Sequence, residues 1–320
     1  MRNGLSVNRL AWNLLEKLCE KADYYGVKVE KTSSGATVVD AGINAKGGFE
    51  AGKIITEICM GGCGKARITR RKYGELELPA IFVYTDHPAI STLGSQFAGW
   101  QIKEADYFAM GSGPARALSL KPKAIYEEIG YRDDSEKAVM VLETDKRPSE
   151  TLMERLAKDC KVAIENLAII LTPTTSIAGS TQVSGRIVET GVHKLSKVGL
   201  DPKTILYAWG CAPISPVHPK FAQAMARTND VILYGGITYY VVDYENEDEL
   251  RRILENAPSK ASKDYGRPFI EIFQKAECNF YKIDPNLFAP AVVIVNNVRS
   301  GRTFKTGEIN SEILLKSLGF

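Results

Sequence analysis

The chain has 320 residues, room for about two domains, and its 44% apolar and 25% charged side chains are the balance of an ordinary globular protein. Basic and acidic residues nearly cancel, 41 against 38 for a formal charge of +3. That argues against a nucleic-acid binder, which carries a concentrated basic surplus, while a small anionic ligand stays compatible because local charge decides there. The amphipathic stretch Met1–Leu18 lacks the apolar core of a signal peptide, and no later run is long enough to span a bilayer. The expected setting is therefore the cytoplasm, with no membrane partner.

In chain order, an opening helix over roughly 5–25 carries Leu10, Leu14, Leu15 and Leu18 at helical spacing. A hairpin follows, Val27 to Glu30 and Ala36 to Val39, across the turn cluster Ser33-Ser34-Gly35. Residues 42–52 read as loop before a helix or strand at Ile54 to Met60. A short strand at Ala80 to Tyr84 ends in Thr85-Asp86-His87-Pro88. Residues 90–100 are rich in Ser and Gly, and Lys103 to Met110 leads into Gly111-Ser112-Gly113-Pro114 and a helical turn at Ala115 to Leu120. Lys137 to Glu143 and Leu167 to Leu171 are apolar strands, separated by a helix from Ser149, a good N-cap, to Asp159. A long helix is expected over Val183 to Val198. Strands near Thr204 to Ala208, Val231 to Tyr234 and Thr238 to Val242 come next, then helices at Glu247 to Asn256 and Phe269 to Lys275 and a last strand at Ala291 to Val295. Strands and helices alternate throughout, which places the chain in the α/β class. The punctuation suggests a boundary near residue 150, dividing an N-terminal α/β domain (1–150) from a C-terminal one (151–320), unless the domains exchange segments.

Six dispersed cysteines suit reduced thiols rather than a disulfide scaffold. Cys59 and Cys63 form the one close pair, and with no second Cys/His pair at ligand spacing no metal is expected. His87, His193 and His218 lie far apart without partners at metal or triad spacing. Three stretches have the makings of a site. Gly111-Ser112-Gly113-Pro114-Ala115-Arg116 permits tight turning and close approach of an anion to backbone N–H groups, with Arg116 one turn in. It lacks the Lys-Ser/Thr ending of a phosphate loop, and a plain structural turn is the commoner meaning of such a run. In Ser184-Gly185-Arg186-Ile187-Val188-Glu189, the charged pair is three residues apart and shares a helix face. On periodicity alone that is an ordinary exposed ion pair. Only in a cleft would Arg186 hold Glu189 ionised while an apolar wall drew its pKa toward a general base's range. Finally, Asp284-Pro285-Asn286 is a turn, and Phe288 between it and Pro290 either packs inward or offers an aromatic face to a flat ring.

Many runs in the same order make the chain resemble the methenyltetrahydromethanopterin cyclohydrolase family over nearly its whole length. They are Leu5-Ser6-Val7-Asn8, Glu57 to Gly62, Tyr84 to Ala89, Leu93-Gly94-Ser95-Gln96 with Ala98-Gly99-Trp100, Tyr107 to Leu118, Ser184 to Thr190, Asp264 to Phe269 and Tyr281 to Pro290. The resemblance implies two α/β domains with a pterin pocket between them, a homotrimer, and hydrolysis of a one-carbon unit on a tetrahydromethanopterin-type pterin. It implies that Arg186 and Glu189 are the catalytic pair; Ser95, Gln96, Gly111, Ser112, Gly113, Arg116, Asp284 and Phe288 are the residues expected to bind substrate. No cofactor is called for, because the methenyl substrate is a cation already activated toward water. Departures from the family pattern include Cys63, where an apolar residue is expected, and Ala224 to Asp230, closer to members from formaldehyde-oxidising bacteria. The competing readings are a cyclohydrolase acting on another tetrahydropterin, such as folate, and a silent pterin-binding subunit.

Overall fold

A computed structural model of the protein describes residues 4–320, so the first three residues of the Met1–Leu18 stretch lie outside the described residues. The strands in chain order are β1 (Lys28–Lys31), β2 (Thr37–Asp40), β3 (Gly64–Tyr73), β4 (Leu76–Thr85), β5 (Trp100–Glu104), β6 (Tyr107–Ser112), β7 (Ala138–Glu143), β8 (Leu167–Leu171), β9 (Ile205–Pro213), β10 (Ile237–Val242), β11 (Val292–Asn297) and β12 (Thr303–Gly307). The helices are α1 (Val7–Glu20), α2 (Ala22–Tyr25), α3 (Phe49–Cys59), α4 (Pro88–Ser91), α5 (Ala115–Ser119), α6 (Lys123–Ile129), α7 (Glu150–Cys160), α8 (Ile177–Ser184), α9 (Ile187–Lys197), α10 (Phe221–Gly235), α11 (Glu247–Glu255), α12 (Phe269–Lys275) and α13 (Ser311–Leu318). The α/β expectation holds, and the chain forms two compact units.

One unit comprises residues 1–65 and 90–182, the other 66–89 and 183–320. The chain therefore crosses between units three times, and a single division near residue 150 does not describe it. The reason is visible in the strand pairing. β3 and β4 join a sheet with β9 to β12, while β5 to β8 return to the sheet begun by β1 and β2.

The first unit's sheet has the order β1-β2-β8-β7-β6-β5, with β2, β8 and β7 parallel. β7 and β8 are unbroken apolar runs because both faces of this sheet are covered, as parallel strands require. Met140, Leu142, Ile169 and Leu171 face Leu152, Met153 and Leu156 of α7. Val139, Val141, Ala168 and Ile170 face Ala11, Leu15 and Leu18 of α1 and Ile54, Ile55 and Ile58 of α3. Ser149 caps α7 as expected, its Oγ accepting from Leu152 N at 3.0 Å.

The second unit's sheet has the order β12-β11-β10-β9-β4-β3. β10 and β11 run parallel, and β9 is antiparallel to both β10 and β4. On one face Val83, Ala208, Thr238, Tyr240, Val242 and Val295 are buried. Gly210 lets α9 approach closely there, since a Cβ at that position would sit 3.1 Å from side-chain carbons of Ile187 and Val188.

Two expectations fail here, and one strand was missed. Val231 to Tyr234 is no strand but part of α10, where Ala224, Met225 and Ala226 one to two turns earlier extend the same buried surface. Four apolar residues alone do not separate the two conformations. The long helix over Val183 to Val198 is two helices, α8 and α9, interrupted at Gly185 and Arg186. β3 was not anticipated, because only Ala66 and Ile68 break a run of charged and polar side chains from Lys65 to Lys72 on an edge strand.

Candidate active site

In the second unit the expected catalytic residues stand at the start of α9. Arg186 occupies the N-cap position with φ −80° and ψ 3°, and its carbonyl accepts from Thr190 N at 2.8 Å and Thr190 Oγ1 at 3.0 Å. Glu189 falls three residues on, in the first turn, where free N–H groups favour a negative side chain. Both are buried, Arg186 at 7% exposure and Glu189 at 5%, so the pair is not the solvated surface pair that spacing alone suggests. The helix is seated by Gly191: a Cβ there would lie 1.9 Å from Tyr240 Oη. That hydroxyl donates to Val188 O at 3.0 Å, and burial, with the negative charge of Glu189 nearby, drives its pKa up.

The Asp284–Phe288 stretch meets the same helix. Lys194, 3% exposed, donates from Nζ to Asn286 Oδ1 at 2.6 Å and to Asn286 O at 3.3 Å. Burial lowers its pKa and the charge of Asp284 works against that shift. Asp284 caps the turn: Oδ1 accepts from Asn286 N at 3.0 Å, and Oδ2 accepts from Ser262 Oγ at 2.9 Å and Lys263 N at 3.2 Å. Burial pushes this carboxyl up, but those donors outweigh it and hold its pKa below the ordinary value. Phe288 is half-buried in an aromatic cluster, its ring centroid 5.8 Å from Phe269 and 6.2 Å from Phe280. The structure thus brings Arg186, Glu189, Asp284 and Phe288 onto one helix and the turn docked to it.

In the first unit, Ser95, Gln96, Gly111, Ser112, Gly113 and Arg116 form a second node. A single π-helical turn over Thr92–Gln96 leaves its carbonyls turned outward, and neighbouring side chains satisfy them. Arg116, fully buried, donates to Leu93 O at 3.1 Å, Ser95 O at 3.2 Å and Lys121 O at 2.8 Å. Its guanidinium carbon lies 5.3 Å from the Phe97 ring centre and 5.6 Å from that of Tyr126. Tyr126 Oη donates to Gly94 O at 3.0 Å and Gly113 N to Ser95 O at 3.0 Å. Gly113 takes φ +92°, the left-handed freedom the turn needs. Ser95 Oγ donates to Cys59 O at 2.6 Å, and Ser112 Oγ to Val141 O at 3.3 Å. Arg116 is buried, and through Nε and Nη1 it donates to backbone carbonyls that hold the turn carrying Ser95 and Gln96.

Residues 6–318 match the family model described as cyclohydrolase (MCH). Methenyltetrahydromethanopterin cyclohydrolase of Methanothermobacter thermautotrophicus is 46% identical over 320 residues, spanning 98% of this chain and 99% of the relative. The protein of that name from Methanocaldococcus jannaschii is also 46% identical, spanning 99% of each chain. The one from Methanosarcina barkeri is 45% identical, spanning 98% of each. The chain belongs to the methenyltetrahydromethanopterin cyclohydrolase family.

Burial, with Asp133 nearby, pushes the Cys63 thiol up to about 11, so it stays protonated at neutral pH. Burial, with Lys197 and Lys194 beside it, lowers His193 to about 4, which keeps it neutral one turn after Glu189. His87 is exposed and His218 half-buried. Among the described residues no group of three or more His, Cys, Asp or Glu side chains is placed to hold a metal ion, and no helix is long and apolar enough to cross a membrane. Sequence reading missed Lys194, Asn286, Gly191 and Tyr240. A lysine on an amphipathic helix reads as solvent-facing, and only the docked turn shows otherwise.

Proposed function

We propose that this chain hydrolyses 5,10-methenyltetrahydromethanopterin reversibly to the 5-formyl compound, with Glu189 and Arg186 as the catalytic pair. The observation that carries the assignment is the burial of both charged side chains at the start of α9, beside the turn that presents Asp284 and Phe288.

The substrate is an amidinium cation whose bridging carbon lies between two nitrogens. Water adds to that carbon and loses a proton, forming a neutral carbinolamine. The bond from carbon to one nitrogen then breaks, that nitrogen takes up a proton, and the oxygen becomes the formyl carbonyl. One water is consumed, one proton is released, and no electrons change hands. Glu189 orients the water, takes its proton and returns a proton to the departing nitrogen, work typically worth about 10²–10⁴-fold. Arg186 holds Glu189 ionised and stabilises the developing oxygen. Asp284 and Phe288 contact the pterin, and Ser95 and Gln96, set by Gly111, Ser112, Gly113 and Arg116, complete the binding residues. We place the enzyme in the cytoplasm as a homotrimer.

Glu189→Gln is expected to lower turnover by about 10²–10⁴-fold while substrate still binds, read from the absorbance of the methenyl compound and from direct titration. Near-wild-type turnover removes Glu189 from this role. Arg186→Lys loses two-point planar contact and is expected to fall by on the order of 10²-fold. Turnover of methenyltetrahydrofolate alone would move the assignment to the other pterin.

A further inference from the structure

Tyr240 stands on the face of the second unit's sheet that α9 covers, between Ala208 of β9 and Val295 of β11, and it is fully buried. A phenylalanine would fill the same space with no polar atom to satisfy, so the hydroxyl is explained only by what it binds. Its partner is not in the sheet. Tyr240 Oη donates to Val188 O at 3.0 Å, the carbonyl of the residue before Glu189. A backbone carbonyl has two lone pairs and can take a second donor. The contact can thus leave the helical ladder of α9 intact while tying its first turn to β10.

The helix gives something up to receive that hydroxyl. A glycine inside a helix is less favourable than an alanine, yet α9 carries Gly191 three residues after Val188. Its backbone is ordinary helix, so the position needs a missing side chain rather than an unusual conformation. A Cβ there would lie 1.9 Å from Tyr240 Oη, 3.0 Å from Tyr240 Cζ and 3.1 Å from Cγ of Pro290, two residues past the Asp284–Phe288 turn. Two locally unfavourable choices, a buried hydroxyl and a glycine within a helix, therefore meet at one point beside Glu189. Such coincidences mark places where function rather than stability set the sequence. Burial, helped by the negative charge of Glu189, keeps the phenol protonated and so keeps the donor in place.

We infer that Tyr240 is a positioning residue for Glu189: its hydroxyl, seated in the gap left at Gly191, fixes where the first turn of α9 holds the carboxylate. Buried beneath the helix, it acts through Glu189 rather than on substrate, and the inference rests on Glu189 being the group that handles water. Tyr240→Phe keeps the ring and removes the hydroxyl. It is expected to lower kcat by roughly 10-fold to 100-fold, the cost of small misplacement at a reacting centre. KM is expected to stay unchanged, because Lys194 and Asn286 still tie the Asp284–Phe288 turn to α9. Gly191→Ala reaches the same contact from the helix side should Tyr240→Phe fail to fold, and by pressing on Pro290 it should raise KM as well as lower kcat. Placed in the Tyr240→Phe background, Gly191→Ala should cost less in kcat than it does alone, since the closest clash is gone, while its effect on KM persists. Placed in the Glu189→Gln background, Tyr240→Phe should add no further loss. A Tyr240→Phe enzyme with wild-type kcat and a lowered Tm makes the hydroxyl a packing element and overturns the positioning role. A full additional loss in the Glu189→Gln background overturns it too. Near-wild-type turnover by Glu189→Gln alone removes the underlying reading instead, and that result is obtained with Tyr240 untouched.

Discussion

Each unit buries a long cation outside the Arg186–Glu189 pair, and the two are used differently. Arg116 in the first unit points its guanidinium at three backbone carbonyls between two aromatic rings. Lys194 in the second points its ammonium at one residue, Asn286, across from the carboxylate of Asp284. A guanidinium is charged at every accessible pH and its fork spans several acceptors, so it suits a permanent brace. An ammonium is a point charge that burial makes easier to deprotonate, so its hold on the turn depends on pH. The contrast teaches that burial of a charged residue does not by itself mark chemistry. What the charge holds in place decides that, and Lys194 holds the Asp284–Phe288 turn against α9.

The comparison breaks most visibly at Arg116. Arg116→Met leaves the carbonyls of Leu93, Ser95 and Lys121 without this donor, each worth about 1–3 kcal/mol when buried. The expected loss is about 3–5 kcal/mol in chemical denaturation. Arg116→Lys should recover little of it, because one ammonium does not span three separated carbonyls. A variant of wild-type stability that loses only substrate affinity would return Arg116 to the anion-binding role read from sequence.

Lys194→Met is expected to cost less stability and more activity. With the Asp284–Phe288 turn no longer tied to α9, kcat/KM should fall by roughly 10-fold to 100-fold, the cost of small misplacement at a site. Lys194→Arg should rescue stability better than activity, since the fork holds Asn286 in a different geometry. The pH dependence carries a sign. Burial sets the folded pKa of Lys194 below its ordinary value of 10.5, so the penalty of burying its charge is full at low pH. It is relieved as pH climbs through the folded value toward 10.5. Relative to Lys194→Met, the wild type should gain stability over that alkaline window, and parallel curves would refute the assignment.

These two cations also measure what sequence reading reaches. β7 and β8 were legible at nearly their true limits because a doubly covered sheet writes itself as unbroken Val, Ile and Leu. Ser149 announced α7 through its cap. By contrast, Arg116 sits in a glycine-rich run that suggests an anion loop, and nothing local says that a π-helical turn twenty residues earlier will claim its donors. Lys194 lies five residues past Glu189, on no shared helical repeat, and its partner Asn286 is 92 residues away. Arg186 and Glu189 were legible as a pair from spacing, but their burial is a tertiary fact. Only likeness to a family gave them a role at the outset. Segment exchange between units is equally silent, since β3 and β4 find β9 only in three dimensions.

The smallest effect concerns a buried charge of opposite sign. Asp230 on α10 accepts from Phe269 N at the start of α12, at 2.9 and 3.1 Å, and from Ser317 Oγ of α13. Burial raises its carboxyl to about 7 despite those donors. The folded value lies above the ordinary 3.8, so the native state keeps a proton there that the unfolded chain releases. This contribution to stability is full below pH 3.8 and declines as pH rises to about 7. Ser317→Ala removes a donor that favours the charged carboxylate and so pushes the folded value higher. Above neutrality, where the wild type must carry the charge, the variant should lose about 1 kcal/mol, and near pH 5 the two should nearly coincide. Denaturation midpoints at pH 5 and pH 8.5 decide it. A Ser317→Ala deficit that is the same at both pH values would mean that the hydroxyl serves packing rather than the charge on Asp230.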